Sequence, residues 1–93
     1  MKVTVKFYAY LRDQIGGLST LELNLGEKSR VSDVLEKICE NTKIHNALLN
    51  ENQEVKEDIR LLKNGREIKF LDGLDTTLVD GDEIAIFPLV AGG

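Results

Sequence analysis

The chain is predicted to be an α+β domain, a mixed sheet of about five strands packed on one main helix. Three observations lead there. Two alternating segments, residues 2–8 and 20–25, precede a segment whose apolar positions recur at helical spacing, residues 31–41. Two short strand-like runs then flank Asn64-Gly65, and an apolar run fills residues 83–89. Strands grouped on either side of one helix bury their apolar faces by laying that helix across the sheet.

Each element has a local reason. Val3, Val5 and Phe7 alternate with Lys2, Thr4 and Lys6, the period of a half-buried strand. Gly16-Gly17 turns the chain after residues 10–14, and Leu21, Leu23 and Leu25 then point inward from a second strand. Val31, Val34, Leu35, Ile38 and Cys39 form one stripe of a helix. Ser29 or Ser32 is expected to cap it, and Asp33 suits the positive end of its dipole. Ile44, Ala47 and Leu48 fit one short helical turn, and residues 50–58 read as an exposed acidic loop. Asn64-Gly65 is a preferred pair for a type I′ hairpin turn. Residues 71–78 read as a loop with its leucines turned to the core, and Asp80-Gly81-Asp82 turns the chain into the last strand. The first and last strands are apolar enough to be central.

One helix covers only one face of a sheet. If Ile59, Leu61, Ile84 and Ile86 face it, then Leu62, Phe87 and Leu89 face outward, since neighbours on a strand alternate. An exposed Phe and Leu patch marks a partner-binding surface; the competing expectation is that residues 42–58 fold over it. Pro88 joins this candidate partner-binding set and stiffens the exit from the sheet by holding φ.

At 93 residues the chain is read as one domain, 1–93, with a flexible C-terminal tail at 89–93. Its net charge of −4, with scattered cations, argues against binding nucleic acid by phosphate neutralisation. No window is apolar enough for a membrane span, and residues 1–6 lack the continuous apolar core of a signal peptide. One cysteine allows no internal disulfide. The expected location is cytoplasmic.

The side chains offer little chemistry. His45 has no Cys or acidic partner at metal-ligand spacing, and Cys39 has no nameable base, so packing roles are expected for both. Asp80, Asp82 and Glu83 lack EF-hand spacing. No metal site is expected. The candidate reacting group is instead the carboxylate of Gly93. Gly92-Gly93 has no side chains to obstruct a narrow slot and takes dihedrals closed to other residues; Val90 and Ala91 add modest width. Val90, Ala91 and Gly92 would thread Gly93 into a partner's active site.

Residues 80–93, Asp-Gly-Asp-Glu-Ile-Ala-Ile-Phe-Pro-Leu-Val-Ala-Gly-Gly, closely resemble the C-terminal signature of the MoaD family, the small subunit of molybdopterin synthase. Residues 5–13, 31–35 and 62–66 resemble that family's first strand, helix start and hairpin. Two departures are visible: Leu89 stands where members commonly have a second Pro, and residues 42–58 are longer than in the shortest members. The resemblance implies a ubiquitin-like β-grasp sulfur carrier. In such a carrier an adenylyltransferase of the ubiquitin-activating type, using ATP and Mg²⁺, adenylates Gly93. A sulfur donor then leaves a thiocarboxylate, which the molybdopterin synthase large subunit consumes in molybdenum or tungsten cofactor synthesis. The chain itself would bind no cofactor and catalyse nothing alone. The competing expectations are a protein modifier joined through Gly93 to lysines, a sulfur carrier for thiamine synthesis or tRNA thiolation, and a plain interaction domain.

Overall fold

The computed structural model describes residues 1–89. In chain order it contains β1 (Lys2–Phe7), α1 (Tyr10–Gln14), β2 (Thr20–Asn24), α2 (Val31–Ile38), α3 (Thr42–Leu48), β3 (Ile59–Lys63), β4 (Arg66–Glu67), 3₁₀ turns at Ile68–Phe70 and Gly73–Asp75, and β5 (Glu83–Pro88). The sheet order is β2-β1-β5-β3-β4. β1 and β5 run parallel at the centre, and every other pairing is antiparallel. The α+β expectation of a mixed five-stranded sheet holds, with the first and last strands central.

Alternation sets the faces. Val3, Val5 and Phe7 of β1, Ile59 and Leu61 of β3, and Ile84 and Ile86 of β5 are buried against Val31, Val34, Leu35 and Ile38 of α2. Leu21 and Leu23 are only partly buried because β2 is an edge strand. The hairpin turn has positive φ at both central residues, 49° at Asn64 and 86° at Gly65, as a type I′ turn requires.

The helical segments depart from the sequence expectations. α2 stops at Ile38 rather than continuing through residue 41, and Cys39 is its C-terminal cap. Neither serine caps its start: Asp33 Oδ2 accepts from the Arg30 N–H at 2.7 Å, while the Ser29 hydroxyl donates to the Gly26 carbonyl. Residues 10–14 form α1, which buries Leu11. Residues 42–48 make a complete short helix capped by Asn41, whose Oδ1 accepts from the N–H groups of Lys43 and Ile44. Ile44, Ala47 and Leu48 belong to the same core as α2, so this segment does not fold over the outer face of the sheet. Of the leucines in residues 71–78, Leu78 is buried but Leu74 is exposed.

Asp82 organises the turn into β5. It is buried, its Oδ2 accepts from the Val79 N–H at 2.8 Å, and its Oδ1 accepts from Asn64 Nδ2 at 2.8 Å. Asn64 Oδ1 in turn accepts from the Glu83 N–H at 2.9 Å. The type I′ turn and the start of β5 are therefore tied by one polar network.

Candidate functional site

The site grows from the outer face of β5. Register places Ala85 between Lys6 of β1 and Leu62 of β3, and Phe87 opposite Arg60. Because Ile84 and Ile86 are fully buried, Ala85 and Phe87 occupy the other face. Leu62 and Phe87 are both half-buried there, and Leu89 is 47% exposed. No described segment of the chain covers them: α2 and α3 both pack on the opposite side. Leu62, Phe87 and Leu89, the residues expected to meet a partner, thus form an outer-face strip leading to the end of β5.

Pro88 departs from that set. It is buried, pairs in register with Ile59, and shares the helix-facing side with Ile84 and Ile86. Its contribution is to the sheet's exit rather than to the outer surface. The reason is period 2: a residue between two outward-facing neighbours on a strand faces inward.

Charged residues frame the strip, and sequence reasoning had not assigned them to it. Lys6 Nζ lies 3.5 Å from Glu83 Oε1, and Arg60 Nε lies 3.2 Å from Glu67 Oε1. Lys69 Nζ stands 3.5 Å from the same Glu67 oxygen, which is buried and held by these two cations rather than by a well-angled hydrogen bond. The alternation of β1 already placed Lys6 opposite Phe7. Its neighbour across the sheet depended on the parallel β1–β5 pairing, for which no local signal exists.

The end of β5 is anchored. The Leu89 N–H donates to the Asp58 carbonyl at 2.6 Å, and the Tyr10 hydroxyl donates to Asp58 Oδ2 at 3.2 Å. Local desolvation, then the hydrogen bond and negative charge of Asp58, raise the Tyr10 phenol above its ordinary value. Tyr8 extends the sheet by donating its N–H to the Ile86 carbonyl at 3.1 Å, and its side chain is exposed. Leu89, counted with the tail from sequence, is therefore still tied to the domain by its backbone. Val90, Ala91, Gly92 and Gly93 lie outside the described residues.

The other sequence candidates are placed plainly. His45 is half-buried, with Nε2 2.7 Å from Gln53 Oε1. Burial raises the Cys39 thiol pKa, which lowers its thiolate fraction at neutral pH. Among the described residues, no three His, Cys, Asp or Glu side chains gather as a metal site, and no helix is long and apolar enough to cross a membrane.

Comparison with known proteins bears on the whole chain. The sequence model of the ThiS family matches residues 5–93. Small archaeal modifier protein 3 of Haloferax volcanii is 38% identical over 94 residues, spanning 100% of both chains. The solution structure of small archaeal modifier protein 1 from Methanosarcina acetivorans has a TM-score of 0.81 at 36% identity, covering 99% of this chain and 96% of that one. A Pyrococcus furiosus structure named as a molybdopterin converting factor subunit 1 has a TM-score of 0.74 at 29% identity, covering 97% of this chain and 99% of its own. These likenesses identify the sheet and its helices as a ubiquitin-like β-grasp fold.

Proposed function

We propose a function from one premise: the chain belongs to the ThiS family, whose members here span ubiquitin-like sulfur carriers and modifiers. The proposal is that it carries sulfur as a thiocarboxylate on Gly93 and delivers it to the large subunit of a molybdopterin synthase. The observation that supports this reading is the strip of Leu62, Phe87 and Leu89. It lies uncovered on the outer sheet face and runs to the strand end that leads into Gly92-Gly93.

The mechanism follows from what the chain has and lacks. Leu62 and Phe87 supply apolar area for a partner to bury, and Lys6, Arg60 and Glu83 around them set its orientation by charge. Anchoring Leu89 to Asp58 gives the tail a defined root, so docking the strip aims the terminus. An activating adenylyltransferase holds ATP and Mg²⁺. The Gly93 carboxylate attacks the α-phosphorus, pyrophosphate leaves, and an acyl-adenylate forms. A persulfide donor then attacks the acyl carbon and releases AMP, and a thiol cleaves the resulting acyl disulfide to the thiocarboxylate and a disulfide. Each step draws its catalytic groups from the partners.

A second reading, a modifier joined through Gly93 to lysines, is favoured by the full-length 38% identity to small archaeal modifier protein 3. Both readings share activation and differ in the acceptor. Intact-mass measurement after incubation with an activating enzyme, ATP, Mg²⁺ and a persulfide source tests the carrier: one oxygen should be replaced by sulfur, and an unchanged mass with cognate enzymes overturns it. Transfer of that sulfur to a pterin precursor in the presence of a large subunit supports the synthase role. Lysines carrying a remnant of residues 90–93, with no such transfer, would select the modifier.

A further inference from the structure

Toward the helix side of the sheet, adjoining the strip described above at Arg60 and Glu67, lies an open groove of about 740 Å³ between α2, the loop before β3, and the 3₁₀ turns. Leu35, Cys39, Leu49, Val55, Leu61 and Ile68 give it an apolar lining. It exists because β4 ends at Glu67: the chain curls into the Ile68–Phe70 turn instead of pairing along the rest of β3.

Its rim carries unspent negative charge. Glu36, Glu54 and Glu57 are exposed, and none forms an ion pair among the described residues. The rim's cations are engaged locally: Lys56 Nζ donates to the Asn46 carbonyl at 2.9 Å, Arg60 serves Glu67 and the Glu57 carbonyl, and Lys69, itself exposed, shares the single Glu67 carboxylate with Arg60. The groove therefore calls for an apolar group with a cation beside it.

The molecule carries such a group next to the groove. Phe70 is 77% exposed, the most exposed large apolar side chain among the described residues, and Lys69 Nζ sits 5.1 Å from its ring centroid. Ile68, Lys69, Gly73 and Leu74 line the groove, whereas Phe70 does not. A knob beside a hole on one face is the self-complementary arrangement that a two-fold interface needs.

We propose that two copies of this chain associate through this face. Each inserts its Phe70 into the groove of the other, and Lys69 meets the other copy's Glu36, Glu54 and Glu57. The contact is small, which makes the dimer weak, with Kd on the order of 0.1–1 mM. Leu62, Phe87 and Leu89 do not line the groove, so the inference does not depend on the function proposed above.

The test is a dilution series of the full chain from about 2 mM to about 20 μM, the range bracketing such a Kd, followed by amide NMR shifts and sedimentation velocity. The sedimentation coefficient should rise with concentration. Shifts should move at Leu35, Cys39, Val55, Leu61, Ile68 and Phe70. Phe70→Ala should weaken association at least tenfold, as loss of a central aromatic anchor does. Lys69→Glu should weaken it too, and adding Glu57→Lys should restore it. A strictly monomeric chain, shifts confined to the outer strip, or an unaffected Phe70→Ala variant overturns the proposal. So do groove shifts that are independent of concentration but vanish when residues 90–93 are removed, because the occupant is then the chain's own C-terminal segment.

Discussion

Adjacent residues on β5 make opposite predictions, and together they test how the faces are assigned. Ile86 is fully buried between Phe7 of β1 and Leu61 of β3. Ile86→Ala removes three carbons, worth about 0.8 kcal/mol each in transfer, or about 2.4 kcal/mol. Incomplete collapse of the cavity raises this to about 3–4 kcal/mol. A domain of this length has a total stability of about 5–14 kcal/mol, so the variant should stay folded at room temperature but melt about 15–25 °C lower. Phe87 is half-buried on the outer face opposite Arg60. Phe87→Ala removes contacts to neighbouring side chains but opens no enclosed cavity, so it should cost less than about 1.5 kcal/mol. The same substitution should weaken docking to a large subunit or activating enzyme by about 1–3 kcal/mol, the cost of losing an aromatic anchor. Urea denaturation followed by circular dichroism gives the first pair of numbers, and calorimetric titration gives the binding loss. If Phe87→Ala destabilises the fold as much as Ile86→Ala, the two faces of β5 are assigned wrongly. A stable Phe87→Ala variant that still binds each partner with full affinity refutes the outer strip as a docking surface.

Three further outcomes are expected. Ala9 sits at φ 56° and ψ −141°, a region that strains any residue with a Cβ, so Ala9→Gly should raise stability by about 1 kcal/mol in urea melts. Asp82→Ala strands the Val79 N–H and the Asn64 amide inside the turn and should cost about 2–4 kcal/mol; Asp82→Asn should cost less because one acceptor oxygen remains. Burial raises the Cys39 thiol pKa, so alkylation by iodoacetamide should begin at higher pH in the folded chain than in the unfolded one. The sign for stability follows: a thiol whose folded pKa is raised contributes stability below the unfolded value of about 8.5, and that stability is lost as pH rises through the folded value. Cys39→Ala should flatten that part of the stability profile.

Local pattern made much of this protein legible. Period-2 alternation found β1 and β2, helical spacing found α2, and Asn64-Gly65 found the β3–β4 turn, because each signal lies within a few residues and reflects the burial of one face. The same alternation placed Phe87 and Leu62 on the face away from α2 before any pairing was known. The tail motif and its departures were likewise readable without coordinates.

What the sequence determined by itself was therefore the five strands and the main helix, their inward faces, and the family signature of residues 80–93. Tertiary structure decided the rest. The short helices α1 and α3 stand because Leu11, Ile44 and Leu48 are buried by the core, a gain that local propensity in so few residues does not supply. The parallel contact of β1 with β5 joins residues about eighty positions apart and alone places Lys6 beside the outer strip. The groove beside Phe70 exists because β4 is short, and its acidic rim is assembled from α2 and the loop before β3. Each of these depends on which distant surfaces meet. Nearest-neighbour chemistry carries no record of that, whereas burial across the whole core imposes it.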